Sequence, residues 1–298
     1  MTLGEALRKR RAPAQAGAYL LPLRNASPVG AETLGDGPLA AQGHGSRAGS
    51  SAPSRCSRAA RRVVLAALTL NLAACDYLPA QSDDPRPGSA SQFPRAPRPV
   101  APIVSSQWAD EDSRDRVGEA ETIMSRAGIA PGMSVADVGA GDGYYTVRLS
   151  QRVGEGGRVL AQDIVPEVKE RLGVRVARER LDNVSVQLGA PDDPKLPGNS
   201  FDRVLLVHMY HEIAEPYAFL WRLWPALRGD GQVVVVDANR PIARHGTPLP
   251  QLICEFQSVG YRPVEFVDLP RTGGYYASFV RAETRPRPGD IRVCDGAT

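Results

Sequence analysis

The sequence predicts an α/β domain: a mostly parallel seven-stranded sheet with an antiparallel C-terminal strand and helices on both faces. Three observations predict it. From Ser106 to Thr284 short apolar runs alternate with amphipathic helical patterns. The run Gln232–Asp237 is apolar without polar alternation, as in a parallel strand buried on both faces. The last two strand-like runs are separated only by a short turn containing Gly273-Gly274, so they should pair antiparallel.

Each element follows from its local pattern. Asp112–Ala127 places Val117, Ala120, Ile123 and Met124 on one helical face. Ser134–Val138 reads as the first strand and Tyr144–Val153 as the next helix. Arg158–Asp163 is the second strand, and Pro166 opens a helix that runs to Arg178. Val184–Leu188 and Asp202–Val207 are the third and fourth strands, Pro216–Leu227 a helix, and Gln232–Asp237 the fifth strand. Leu249–Ser258 is a helix, followed by strands Pro263–Val267 and Tyr275–Val280.

The chain before this domain is of another kind. Residues 1–75 form a leader rich in Ala, Arg, Gly, Pro and Ser, too polar and irregular to bury a core. Met1–Arg62 holds ten basic and three acidic residues, so the formal charge of +3 comes from the leader and the remainder is net acidic. An acidic domain is a poor match for phosphate backbones, and no nucleic-acid partner is expected. Within the leader, Arg58–Cys75 sets basic residues before the short apolar run Val63–Ala74, as in a secretory signal. Leu72-Ala73-Ala74-Cys75 resembles a bacterial lipobox, which implies attachment to a membrane through a lipidated Cys75 and a lipoprotein or periplasmic location. Nearly sixty residues precede this segment, so a cytoplasmic location is the alternative if it is not used. Residues 76–105 read as a Pro-rich, disordered linker and residues 285–298 as a disordered tail. None of the four cysteines forms a C-x-x-C pair, and a Cys254–Cys294 disulfide is not expected because Cys294 lies in that tail.

The chemistry is concentrated at Val135–Gly143, where a strand ends in a glycine-rich turn and a helix begins. Gly139 and Gly141 let the backbone approach a ligand with no Cβ in the way. The spacing is G-x-G-x-G, with Tyr144 where a dinucleotide site needs its last glycine. Asp137 and Asp142 place negative charge where a pyrophosphate would sit, which disfavours a nicotinamide oxidoreductase and suits a cationic ligand.

Asp137, Gly139, Gly141 and Gly143 together resemble the first motif of the class I S-adenosylmethionine-dependent methyltransferases, which implies a Rossmann-like fold and S-adenosylmethionine as cofactor. The resemblance covers about Ala120 to Val280, and its style is that of enzymes acting on small molecules. It implies that Asp163, ending the second strand, holds the ribose hydroxyls, for which a carboxylate has the acceptors. Where the family often places an adenine-contacting Asp, this chain has Ala190, leaving Asp192 or Asp193 for that contact. Arsenite methylation is disfavoured, since in the family that chemistry needs several thiolates near the site and only Cys254 lies in the folded domain.

Candidate catalytic residues lie at the carboxyl end of the fourth strand, in His208-Met-Tyr-His-Glu212. His211 is the first candidate for a general base, Tyr210 can stack on adenine or substrate, and His208 can line the methyl channel. No metal is assigned, although His208, His211 and Glu212 are the set from which one would be built. The reading is a methyltransferase for a small-molecule acceptor. Its rival is a non-catalytic binding lipoprotein, because an exported domain is separated from cytoplasmic S-adenosylmethionine.

Overall fold

The computed structural model describes residues 86–103 and 110–295, all within one compact unit, Leu78–Thr298. The signal-like segment 58–75 and Cys75 lie outside the described residues. Seven strands form one sheet in the order β3-β2-β1-β4-β5-β7-β6. They are β1 (Ser134–Val138), β2 (Arg158–Asp163), β3 (Val184–Leu188), β4 (Phe201–Val207), β5 (Leu227–Asp237), β6 (Tyr261–Leu269) and β7 (Gly274–Arg281). Strands β1 to β5 run parallel, while β7 pairs antiparallel with both β5 and β6. The expected sheet is therefore present.

Strand alternation divides the core into two layers. Ala136, Val138, Val204, Leu206, Val233 and Val235 pack on one face. Val135, Leu205, Val234 and Val236 pack on the other. The helices α1 (Glu111–Arg116), α2 (Glu119–Arg126), α3 (Tyr144–Val153), α4 (Pro166–Arg178), α5 (Pro216–Leu223) and α6 (Leu249–Ser258) cover these faces. The chain order reverses direction across the sheet between β1 and β4, which opens a crevice at their carboxyl ends.

Two helices differ from their sequence patterns. The run 112–127 is broken into α1 and α2 by Gly118, which takes φ +67° between them. The helix from Pro216 stops at Leu223, and Trp224–Ala226 tightens into a 3-10 turn at Pro225, whose ring cannot donate to the α-helical ladder.

The expected disorder on both sides of the domain is corrected. Residues 86–103 form a strap across the domain rather than a free linker. Arg86 Nε donates to Glu215 at 2.8 Å, and the Phe93 ring packs edge-on against Trp221. Arg98 Nε reaches Glu255 Oε1 at 2.7 Å, with both side chains almost fully buried. Removing one partner from a buried pair of this kind costs about 3–5 kcal/mol. Composition misled here because the carboxylates that receive these arginines lie more than a hundred residues away.

The tail is ordered through Asp295, and Cys254 and Cys294 are disulfide-bonded. Cys294 N also donates to Tyr217 Oη at 2.7 Å, Ile291 is buried, and Trp221 Nε1 donates to the Pro286 carbonyl at 3.0 Å. These contacts to α5 and α6 have no signature in the tail's own composition.

Candidate active site

The glycine turn shapes the site. Gly139 and Gly141 both hold positive φ, +71° and +55°. A Cβ on Gly139 would come within 2.8 Å of Met209 Cγ, whereas one on Gly141 would meet no protein atom within 4 Å. Gly139 thus permits close packing of the turn against the β4 loop, and Gly141 leaves its space to a ligand. Gly143 has φ +91°, and a Cβ there would lie 2.6 Å from Leu172 Cδ1. Its role is to let α3 pack against α4, and it does not line the cavity.

The cavity beside this turn has a volume of about 430 Å³, within the range of small-molecule sites. Asp163 stands at its wall, where Oδ2 accepts from Gly141 N and Oδ1 from Val165 N, both at 3.0 Å. These two bonds aim the carboxylate while leaving further lone pairs for a diol. Ile164, Val165, Val168, Pro191 and Phe219 supply apolar surface. Gln162 also lines the cavity, with a buried Nε2 that has no hydrogen-bond partner among the described residues. Gly189 makes room beside it, since a Cβ there would overlap Gln162 Nε2 at 1.6 Å and force that side chain to move. Gln162 was missed in the sequence because an amide inside an apolar strand carries no motif.

Asp137 lies deeper and accepts from Thr146 Oγ1 at 2.6 Å. Burial pushes its carboxyl up to about 6, with the Asp163 charge adding to the effect, against the Thr146 hydrogen bond and the attraction of Arg114. A cation bound nearby would relieve this penalty. The fit to S-adenosylmethionine therefore rests on the cradle at Gly141, the aimed Asp163 and a buried carboxylate short of positive charge.

Of the proposed catalytic residues, only His208 lines the cavity. It follows β4 directly with φ +56°, and its Nε2 lies 3.4 Å from Glu119 Oε1. The same oxygen accepts from Arg114 Nη2 at 2.6 Å and Tyr145 Oη at 3.0 Å. Burial opposes ionisation of Glu119, but the bonds from His208 and Arg114 prevail and hold its pKa at about 2. Glu119 and Arg114 were not singled out in the sequence, since α2 reads there only as an amphipathic helix.

Several expected site residues are placed elsewhere. Tyr210 is fully buried on the α6 side, where Oη donates to Glu255 Oε2 at 2.6 Å, so it does not stack on a ligand. His211 is 1% exposed, does not line the cavity, and turns Nδ1 to Asp237. Asp192 is buried under Ser89 Oγ and Arg222 Nη1, at 2.5 and 2.6 Å, and holds the strap. Asp193 caps its own turn by accepting from Lys195 N at 2.7 Å. Neither aspartate lines the cavity; Ala190 and Pro191 do. The short bridge Ala190–Asp193 turns the chain so that the two carboxylates face away.

Comparison with known proteins agrees with this geometry. Residues 136–235 match the family model described as a methyltransferase domain. The ubiquinone/menaquinone biosynthesis C-methyltransferase UbiE of Pseudoalteromonas translucida is 29% identical over 133 residues, which are 42% of this chain and 50% of that protein. The protein of the same name from Salmonella newport is 28% identical over 159 residues, 51% of this chain and 57% of its own length. The chain thus spans little more than half the length of these curated relatives. A crystal structure of a SAM-dependent methyltransferase from Aquifex aeolicus superposes with a TM-score of 0.55 at 24% identity, covering 60% of this chain and 98% of that one, and shows a shared fold. Residues 136–235 are thus similar to a methyltransferase domain, and the chain shares its fold with a SAM-dependent methyltransferase.

Proposed function

We propose that the protein transfers a methyl group from S-adenosylmethionine to a small, largely apolar acceptor bound in the cavity beside His208. The observation that carries this reading is Asp163 at the end of β2, hydrogen-bonded to Gly141 in the glycine turn and open to the cavity. When bound, S-adenosylmethionine supplies an electrophilic methyl group on a sulfonium. Asp163 holds the ribose, the turn at Gly139–Gly141 supports the amino-acid end, and Asp137 balances positive charge. The apolar residues Val100, Ile103, Met209 and Ile213 line the rest of the cavity and exclude water. His208, backed by Glu119, stands at the wall as the group that takes a proton from the acceptor. The relatives are named as C-methyltransferases of quinone biosynthesis, and from them we take the reaction class alone.

The Cys254–Cys294 disulfide supports an oxidising compartment, and with it an exported protein anchored through Cys75, for which the methyl-transfer reading requires that S-adenosylmethionine reach the domain from the cytoplasm. Treating cells with globomycin should then cause a larger, unprocessed precursor to accumulate. A single soluble species of unchanged size would remove the anchor from the proposal.

Calorimetric titration with S-adenosylmethionine should give binding that Asp163→Ala weakens by at least about tenfold, as expected when hydrogen bonds to a charged group are lost. Equal affinity in the variant would displace Asp163 from the site. His208→Ala should lower turnover by about 10²-fold, a usual contribution from a positioned base, while the cofactor dissociation constant stays the same. A loss confined to cofactor binding would assign His208 to the cradle instead.

The pH dependence has a defined sign. The folded-state pKa of Asp137 is raised from 3.8 to about 6, so the ligand-free protein favours the protonated form and loses this stabilisation as pH rises through 6. A cationic ligand favours the ionised form. Affinity should therefore rise between pH 5 and 7, by no more than about tenfold per unit for one proton released, and level off above. The profile of Asp137→Asn should be flat over this range; an unchanged slope would assign the titration to another group.

A further inference from the structure

We propose that His211, Glu212 and His245 hold a divalent transition-metal ion at the edge of the cavity. Each offers one ligand atom, and the three atoms lie within 4.8 Å of one another. The set differs from the one the sequence offered, since His208 turns to Glu119 and His245 arrives from the loop after β5.

The surroundings of His211 carry the inference. Its Nδ1 lies 3.0 and 3.1 Å from the two carboxylate oxygens of Asp237. Asp237 is itself fully buried and accepts from Thr247 Oγ1 at 2.7 Å and Ala238 N at 2.8 Å. This carboxylate fixes the proton on Nδ1 and leaves the lone pair on Nε2. That Nε2 is buried and has no hydrogen-bond partner among the described residues. A histidine kept only for packing would not be oriented by a buried carboxylate while its other nitrogen is left unsatisfied, because an unpaired buried acceptor is costly. A carboxylate behind a histidine whose far nitrogen is free is the usual support of a metal-bound imidazole.

His245 completes the pattern. Its Nδ1 is also buried without a partner, and the residue is held at φ +56°. Arg240 Nε and Nη2 clamp its carbonyl at 3.1 and 3.0 Å, so the unusual backbone is maintained by its neighbours. The two imidazoles stand edge to face, 5.6 Å apart at 83°. Two imidazoles and one carboxylate form a donor set suited to zinc and its first-row neighbours. Glu212 lines the cavity, so an ion here can also take an acceptor's oxygen and lower its pKa. That last role rests on the methyl-transfer reading; the binding of the ion does not.

The test is direct binding. The full chain, stripped with a chelator and dialysed, is titrated with ZnCl2 by calorimetry and with CoCl2 by visible absorption. S-Adenosylmethionine is titrated in parallel into the metal-free protein, so that failure of the cofactor reading is seen separately. One equivalent of Zn2+ bound with micromolar or tighter affinity is expected, with a cobalt ligand-field band. Both His245→Ala and Glu212→Gln should weaken binding at least about tenfold, as loss of a ligand does, with circular dichroism unchanged. The absence of a stoichiometric site, or Zn2+ affinity equal in both variants and the parent, would overturn the proposal.

Discussion

The turn that ends β1 is the constraint on which the site depends. Three glycines in five residues hold positive φ, and each is required for a different reason. Gly139 yields to Met209 from the β4 loop, Gly143 yields to Leu172 of α4, and Gly141 faces open space. The first two let the β4 loop and α4 come close enough to wall a cavity; the third keeps that cavity free. The Gly141 amide then fixes Asp163, which joins β2 to the same turn. A side chain at Gly139 or Gly143 would separate the elements that define the cavity, so backbone freedom and ligand space are one property here.

Around this turn, buried carboxylates organise what the sheet alone leaves loose. Glu119 gathers Arg114, Tyr145 and His208 at one wall. Asp237 gathers His211, Thr247 and the Ala238 amide behind the opposite part of the β4–β5 edge. Glu255 gathers Arg98, Tyr210 and Gln251, tying the N-terminal strap to α6. A buried carboxylate must be met by several donors to offset its desolvation. Each therefore fixes residues from distant parts of the chain in one arrangement. The strap benefits directly: with Arg98 anchored and Ala101 N donating to the His211 carbonyl at 3.0 Å, residues Val100–Ile103 become part of the cavity wall.

The sequence by itself determined the strand ladder, the antiparallel end of the sheet, the glycine turn and the two carboxylates, Asp137 and Asp163, that line the cavity beside it. These are legible because they depend on local periodicity and on conformations that only glycine adopts readily. Tertiary structure alone decided which of His208, Tyr210 and His211 faces the cavity. The three are nearly adjacent, but the chain leaves β4 through a left-handed residue and a 3-10 turn, which sends them in different directions. It also decided that Asp192 holds the strap, that residues 86–103 are ordered, and that Cys294 reaches Cys254. In each case the partner is remote in sequence. Composition can report that an arginine, an aspartate or a cysteine is present, but only the folded chain supplies the buried group that it meets.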